Sequence, residues 1–229
     1  MVGTRPTCDV WWATLADVRA EHTALLDAVE RGRRERYLRA EDRDRFTLGV
    51  AMTRLALAPL LGLEPERVPL NRECRDCGKP HGPPVVAGGP CLSVSHSGDR
   101  VALALSAHGQ VGVDVEACSR RLEQGIERHV LAPAEADGGD IFAYWTRKEA
   151  IVKATGDGLR APMTEITVSR PDEPPRLLAW SDRPDLVGRI TMHALHPGPG
   201  YAACLALIDQ PGAEVRERPA AELLRGSLE

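Results

Sequence analysis

Hydrophobic and polar positions alternate most clearly at Val111-Gly-Val-Asp-Val-Glu116. Val111, Val113 and Val115 fall on one side of a period of two, and Gly112, Asp114 and Glu116 on the other, which predicts a β-strand. The period changes to that of a helix over residues 140–158. There Ile141, Trp145 and Val152 share a face with Phe142 beside them, Asp140 suits the N-cap and Gly156 the C-terminal stop. A longer helix is predicted over 41–61, where Phe46, Val50, Leu57 and Leu61 recur and Gly62 closes the run, with Arg45 and Arg54 off the apolar stripe. Strands are predicted at 8–15, on either side of the turn Ser97-Gly98-Asp99, and at 166–170, 177–180, 189–196 and 201–209. One or two short helices fall in 119–139, the second opened by Pro133, and a last one at 220–224. Strands gathered around one long helix in each half predict an α+β fold of two similar halves, 1–110 and 111–229, with no repeat visible in the sequence.

Composition narrows the picture. Hydrophobic residues make up 43% of 229 positions, enough for a substantial core, and the formal charge of −4 argues against a nucleic-acid binder. No apolar run is long enough to span a bilayer, and the opening MVGTRPTCDVWW lacks the apolar core of a signal peptide. The expectation is a cytoplasmic protein whose six cysteines stay reduced.

Candidate chemistry starts from the same strand. Asp114 and Glu116 project to one face about 7 Å apart. Such a pair either forms a solvated acidic surface or faces a cation, and hard oxygen ligands suit magnesium. On the helix that follows, Glu149 and Lys153 stand four apart on one face, the spacing of an ordinary surface ion pair. Lysine usage favours more than that. Of 29 basic residues only Lys79, Lys148 and Lys153 are lysine, and two of them flank Glu149. A lysine is a compact point charge useful at phosphates, so the clustering points to phosphate chemistry.

Other clusters leave alternatives open. Arg31, Arg33, Arg34 and Arg36 form either a solvated helix face or an anion site. Ser95, His96 and Ser97 stand where a strand ends, a place where binding residues concentrate. Cys74 and Cys77 have the spacing of half a zinc site with His81 nearby, but a structural site takes four ligands and no second C-x-x-C exists. A turn carrying Lys79 toward a ligand is the preferred reading of that stretch.

Taken together and in order, these segments resemble the 4′-phosphopantetheinyl transferases of the monomeric, surfactin-synthetase-activating type. The residues that carry the resemblance are Cys77-Gly-Lys-Pro-His, Leu92-Ser-Val-Ser-His-Ser-Gly98, Val111-Gly-Val-Asp-Val-Glu116 and Trp145-Thr-Arg-Lys-Glu-Ala-Ile-Val-Lys-Ala-Thr-Gly-Asp-Gly158. The resemblance implies two α+β halves with the active site between them. It also implies magnesium-dependent transfer of phosphopantetheine from coenzyme A to a serine of acyl or peptidyl carrier proteins of fatty-acid, polyketide or peptide synthesis, releasing adenosine 3′,5′-bisphosphate. By that resemblance Asp114, Glu116 and Glu149 hold the metal, and Lys153 stabilises the departing phosphate. Lys79, Ser95, His96 and Lys148 contact coenzyme A phosphates, and Arg33 and Arg45 lie near the adenosine end. Glu149 or a metal-bound water is the base for the serine. The chain departs from the family at Phe46, where the prototype has a hydroxyl residue, and at Glu30, where a basic contact is sometimes found. The 35 positions from Asp114 to Glu149 are fewer than in the prototype. A coenzyme A pyrophosphate hydrolase or a non-catalytic coenzyme A or carrier-binding module are the competing classes.

Overall fold

A computed structural model describes residues 5–136 and 139–225, which leaves the opening tetrapeptide, residues 137–138 of the predicted 119–139 segment, and residues 226–229 outside the description. In chain order it comprises β1 (Thr7–Thr14), α1 (Ala28–Glu35), α2 (Ala40–Leu61), β2 (Cys91–Ser97), β3 (Arg100–Ser106) and β4 (Val111–Ala117). Then come α3 (Glu127–Val130), α4 (Ile141–Thr155), β5 (Ile166–Val168), β6 (Leu177–Trp180), β7 (Ile190–Ala194), β8 (Tyr201–Ile208), β9 (Glu214–Pro219) and α5 (Ala221–Arg225). The fold is α+β, as the sequence pattern predicts. Among the described residues no helix is long and apolar enough to cross a membrane.

The strands form a four-stranded sheet ordered β2-β3-β1-β9, a three-stranded sheet ordered β4-β8-β7, and a small β5-β6 pair. β9 is a strand the sequence pattern does not announce. It carries Glu214, Arg216, Glu217 and Arg218 around one partly buried Val215, and it runs parallel to β1 at the sheet edge. Its register is fixed by polar contacts instead of apolar alternation: Trp12 Nε1 donates to Glu217 at 2.8 Å and Arg218 to Asp9 at 3.0 Å.

Strand β4 is buried on both faces, so its acidic side is not the solvated surface of a half-buried strand. Its valines pack with Val10, Ala102, Ala104, Leu205 and Leu207 into the core shared by the two larger sheets. Its other face lies against α4. A Cβ at Gly112 would overlap the backbone of Ala150 and Ala154, so only glycine lets the helix approach this closely. Gly112→Ala is therefore expected to cost about 2 kcal/mol or more through overpacking against backbone that cannot yield. Chemical denaturation measures this, and an unchanged midpoint would mean that α4 slides freely on β4.

The seam between the sheets is closed by hydroxyls. The backbone N–H groups of Val113, Val115 and Ala117 donate to Ser93, Ser95 and Ser97 Oγ at 3.1, 3.3 and 3.1 Å. β4 is an edge strand, and these serines of β2 satisfy donors that no strand covers.

Candidate active site

α4 starts where Asp140 accepts from the Phe142 N–H at 3.0 Å and stops at Gly156, which has φ 73° and donates to Val152 O. Between these caps the helix turns Ala150, Ile151 and Ala154 into the core. That rotation, with the close approach at Gly112, sets Glu149 and Lys153 opposite Asp114 and Glu116. All four line one cleft of about 770 Å³, a size suited to a nucleotide-like molecule.

Asp114 is buried. Its Oδ1 accepts from Ser95 Oγ at 2.8 Å and from Lys153 Nζ at 2.6 Å, while its Oδ2 is buried with no hydrogen-bond partner. Lys153 Nζ also donates to Ser95 Oγ at 2.9 Å and Val113 O at 3.2 Å. Glu116 accepts from Ser97 Oγ at 2.6 Å and Arg120 at 3.0 Å. Burial pushes the Asp114 pKa up despite Lys153. Burial also raises that of Glu149, with the nearby Asp114 adding to the shift. Desolvated carboxylates that repel one another, one with an unsatisfied oxygen, fit a hard divalent cation. The acidic three are more openly spaced than a closed site, however. Among the described residues, the ligand atoms that gather within 4.8 Å of one another belong to Cys74, Cys77 and His81.

The opposite wall of the cleft is basic. Arg33 and Arg72 guanidinium groups lie 5.3 and 5.8 Å from the centroid of Phe46, and Arg33 Nη1 is buried without a partner. Phe46, at the position where the resembled family has a hydroxyl, is thus a platform for two cations. Glu30 does not face the cleft with a charge to spare. It is buried, bound to Arg54 at 2.8 Å and 3.5 Å from Arg72. Arg54, off the apolar stripe of its helix, is itself buried. Arg72 was not singled out by sequence. The only local signal is a basic residue next to the Cys74-x-x-Cys77 turn.

Arg45 lines the cleft, paired with Asp42 at 2.7 Å and donating to Gly98 O. His96 also lines it, its pKa lowered first by desolvation and then by Lys153 and Arg45. Of the predicted site residues, Arg33, Arg45, Ser95, His96, Asp114, Glu116, Glu149 and Lys153 share this cleft. Two do not. Lys79 is exposed on the outside of its turn, whose inner side brings His81, Gly82 and Pro83 to the cleft. Lys148 corrects its expected phosphate role outright. It is fully buried on another face of α4, donating to Glu135, to Val130 O at 2.7 Å and to Met163 O at 3.0 Å. One step of about 100° along the helix separates it from Glu149 and turns it into the core.

Comparison with known proteins agrees with this geometry. Residues 110–206, which include β4 and α4, match the model of the 4′-phosphopantetheinyl transferase superfamily. The chain is 36% identical over 174 residues to the 4′-phosphopantetheinyl transferase HetI of Nostoc sp., covering 69% of this chain and 72% of that protein. It is 29% identical over 163 residues to a putative 4′-phosphopantetheinyl transferase of Synechocystis sp., with 66% and 64% covered. It is also 26% identical over 161 residues to a 4′-phosphopantetheinyl transferase of Bacillus subtilis, with 66% and 69% covered. An acidic strand packed on a Glu-Lys helix, the two lining one side of a cleft whose other side is basic, thus belong to a chain of known kind: it is a member of the 4′-phosphopantetheinyl transferase superfamily, enzymes that move phosphopantetheine from coenzyme A to carrier proteins.

Proposed function

We propose that this chain transfers 4′-phosphopantetheine from coenzyme A to a carrier-protein serine with magnesium, releasing adenosine 3′,5′-bisphosphate. The observation that carries the reading is the buried, unsatisfied Oδ2 of Asp114 beside Lys153, Glu116 and Glu149 in one cleft. Asp114, Glu116 and Glu149 would hold the ion, which when bound neutralises the diphosphate and orients its oxygens. The serine oxygen attacks the β-phosphorus, and the bond from that phosphorus to the bridging oxygen breaks. Lys153, held at Ser95 and Asp114, donates to the oxygen that departs with the nucleotide. Glu149, which lines the same cleft, is the acceptor for the serine proton. Ser95 positions both Asp114 and Lys153, and His96 and Arg45 line the path of the phosphates.

Residues 1–110 and 111–229 are read as two halves, with β9 and α5 of the second completing the sheet and helix layer of the first. The enzyme is read as a cytoplasmic monomer serving carriers of fatty-acid, polyketide or peptide synthesis. The deciding experiment incubates the protein with apo carrier proteins from each pathway, coenzyme A and magnesium, and weighs the carrier. A gain of one phosphopantetheine is expected. Release of the bisphosphate nucleotide with no carrier modified would instead make the chain a hydrolase.

Arg33 supplies the second expectation. Its buried, partnerless Nη1 over Phe46 is placed for a phosphate at the nucleotide end. Arg33→Ala is expected to raise KM for coenzyme A about tenfold with kcat little changed, the loss of one charge-assisted contact. Steady-state kinetics at fixed carrier concentration checks this, and an unchanged KM would remove Arg33 from the binding site.

The cation should also be visible in the pH dependence of stability. Asp114 and Glu149 have folded pKa values above the ordinary carboxylate range, so they take up protons on folding. The metal-free fold then loses stability as pH rises through those raised values. Magnesium, which needs the ionised carboxylates, is expected to raise Tm near neutrality and to lose that effect as pH falls into the raised range. A magnesium shift of equal size at every pH would count against binding at these carboxylates.

A further inference from the structure

The chemistry above makes no use of Cys74 and Cys77. Their turn hangs between the two strand-like residues Asn71 and Val85, which bridge to each other, and most of it is exposed. No apolar core explains why its soft ligands converge. Yet Cys77 Sγ and His81 Nε2 are 2.9 Å apart, and the ligand atoms of Cys74, Cys77 and His81 all lie within 4.8 Å of one another. In a tetrahedral site with zinc–sulfur bonds of about 2.3 Å and zinc–nitrogen bonds of about 2.0 Å, ligand atoms stand roughly 3.5–3.8 Å apart. Cys77 Sγ and His81 Nε2 stand closer than that and Cys74 Sγ lies within reach of both, so small side-chain rotations would seat one ion.

The backbone of the turn is shaped for the same purpose. Gly78, at φ 69°, donates to Cys74 O at 2.8 Å, and the Cys74 N–H donates to Lys79 O at 2.9 Å. The Cys74 thiol pKa is lowered, first by the backbone N–H of Asp76 and then by that of Cys77. Backbone donors aimed at sulfur favour the thiolate, the form that binds metal. His81 N–H is held by Lys79 O at 2.8 Å, which sets the ring toward Cys77. Two thiolates and an imidazole select zinc over the hard ion suited to the carboxylates of the cleft.

We propose that Cys74, Cys77 and His81 bind a zinc ion with water in an outward-facing fourth position, and that this ion fastens the turn forming one wall of the cleft. The consequence for the cleft is geometric. His81, Gly82 and Pro83 line it, and the turn reaches the loop after α4 through the ion pair of Asp76 with Arg160 at 3.4 Å. An ion that orders the turn therefore orders a junction between segments 71–82 and 156–160. The missing fourth protein ligand, which speaks against a closed structural site, is accommodated by a three-ligand site open to solvent.

The test uses the untagged full chain, purified without chelator from zinc-supplemented cells, and reads metal content, so its result does not depend on transferase activity. Elemental analysis is expected to give one zinc per chain, and none in Cys74→Ser/Cys77→Ser or His81→Ala. Zinc-depleted chain given cobalt(II) should show thiolate-to-cobalt charge transfer and the intense visible absorption of a tetrahedral centre. Those bands should survive Asp114→Asn and vanish in the cysteine variant. Chelation of zinc should lower Tm by a few degrees and leave the cysteine variant unmoved. A chain that neither retains zinc nor takes up cobalt overturns the proposal, as does a Cys74–Cys77 disulfide in the freshly purified protein.

Discussion

Asp114→Ala is expected to reduce phosphopantetheine transfer by about a thousandfold, roughly 4 kcal/mol of transition-state stabilisation. Two functions are lost at once. The carboxylate that would take the cation disappears, and Lys153 loses the partner that holds its Nζ 2.6 Å away. Stability should move far less. The folded protein keeps a desolvated charge at Asp114 with one oxygen unsatisfied, and removing it relieves that cost. Lys153 is partly exposed and reaches water when freed. Asp114→Asn, which keeps volume and the contact to Ser95, separates the charge from the packing. The expected pair of results is near-zero turnover and a Tm within a few degrees of the parent for both variants. A large fall in Tm for Asp114→Asn would make the residue a structural element of the sheet junction.

Lys148→Ala is expected to do the opposite. Lys148 is fully buried and its ammonium meets Glu135, whose own carboxylate accepts from the backbone N–H groups of Ala132 at 2.8 Å and Val168 at 2.7 Å. Burial lowers the Lys148 pKa and Glu135 opposes that shift. Removing one partner strands the other charge, which costs about 3 kcal/mol or more. For a chain of this size that lowers Tm by about 10 °C. Any molecules still folded should bind coenzyme A with the parent KM, because the ammonium never faces the cleft. Lys148→Met with Glu135→Gln should recover part of the loss by removing both charges together. A rise in KM without destabilisation would restore Lys148 to the phosphate site.

These two residues also show what a linear reading of the chain reveals and what it hides. The acidic strand and its facing helix are legible because their signals are local: a period of two around Asp114, an N-cap at Asp140, a stop at Gly156. Lys148 is misjudged, and the burial of Arg54 is not foreseen, for the converse reason. A charge is assigned to the surface by default, and only a partner elsewhere in the chain makes burial tolerable, here Glu135 and Glu30. The hydroxyls of Ser95 and Ser97, two residues and four residues beyond Ser93, look like binding groups in sequence. In the fold they first repair the unpaired edge of β4. Strand β9 is missed because four of its six residues are charged and its place is fixed by Asp9 and Trp12, some 200 positions earlier.

That last pairing has a bearing on biogenesis. The sheet that carries Ser95 and His96 has β9 as its outer member, so during synthesis β1 must wait with one edge open until residues 214–219 clear the ribosome. Contacts of such long sequence separation slow folding, and an unpaired strand is a site for wrong partners in the meantime. Chaperone demand in the cell should therefore fall on the nascent amino-terminal sheet, and a circular permutant that places 214–219 ahead of β1 should shorten that wait.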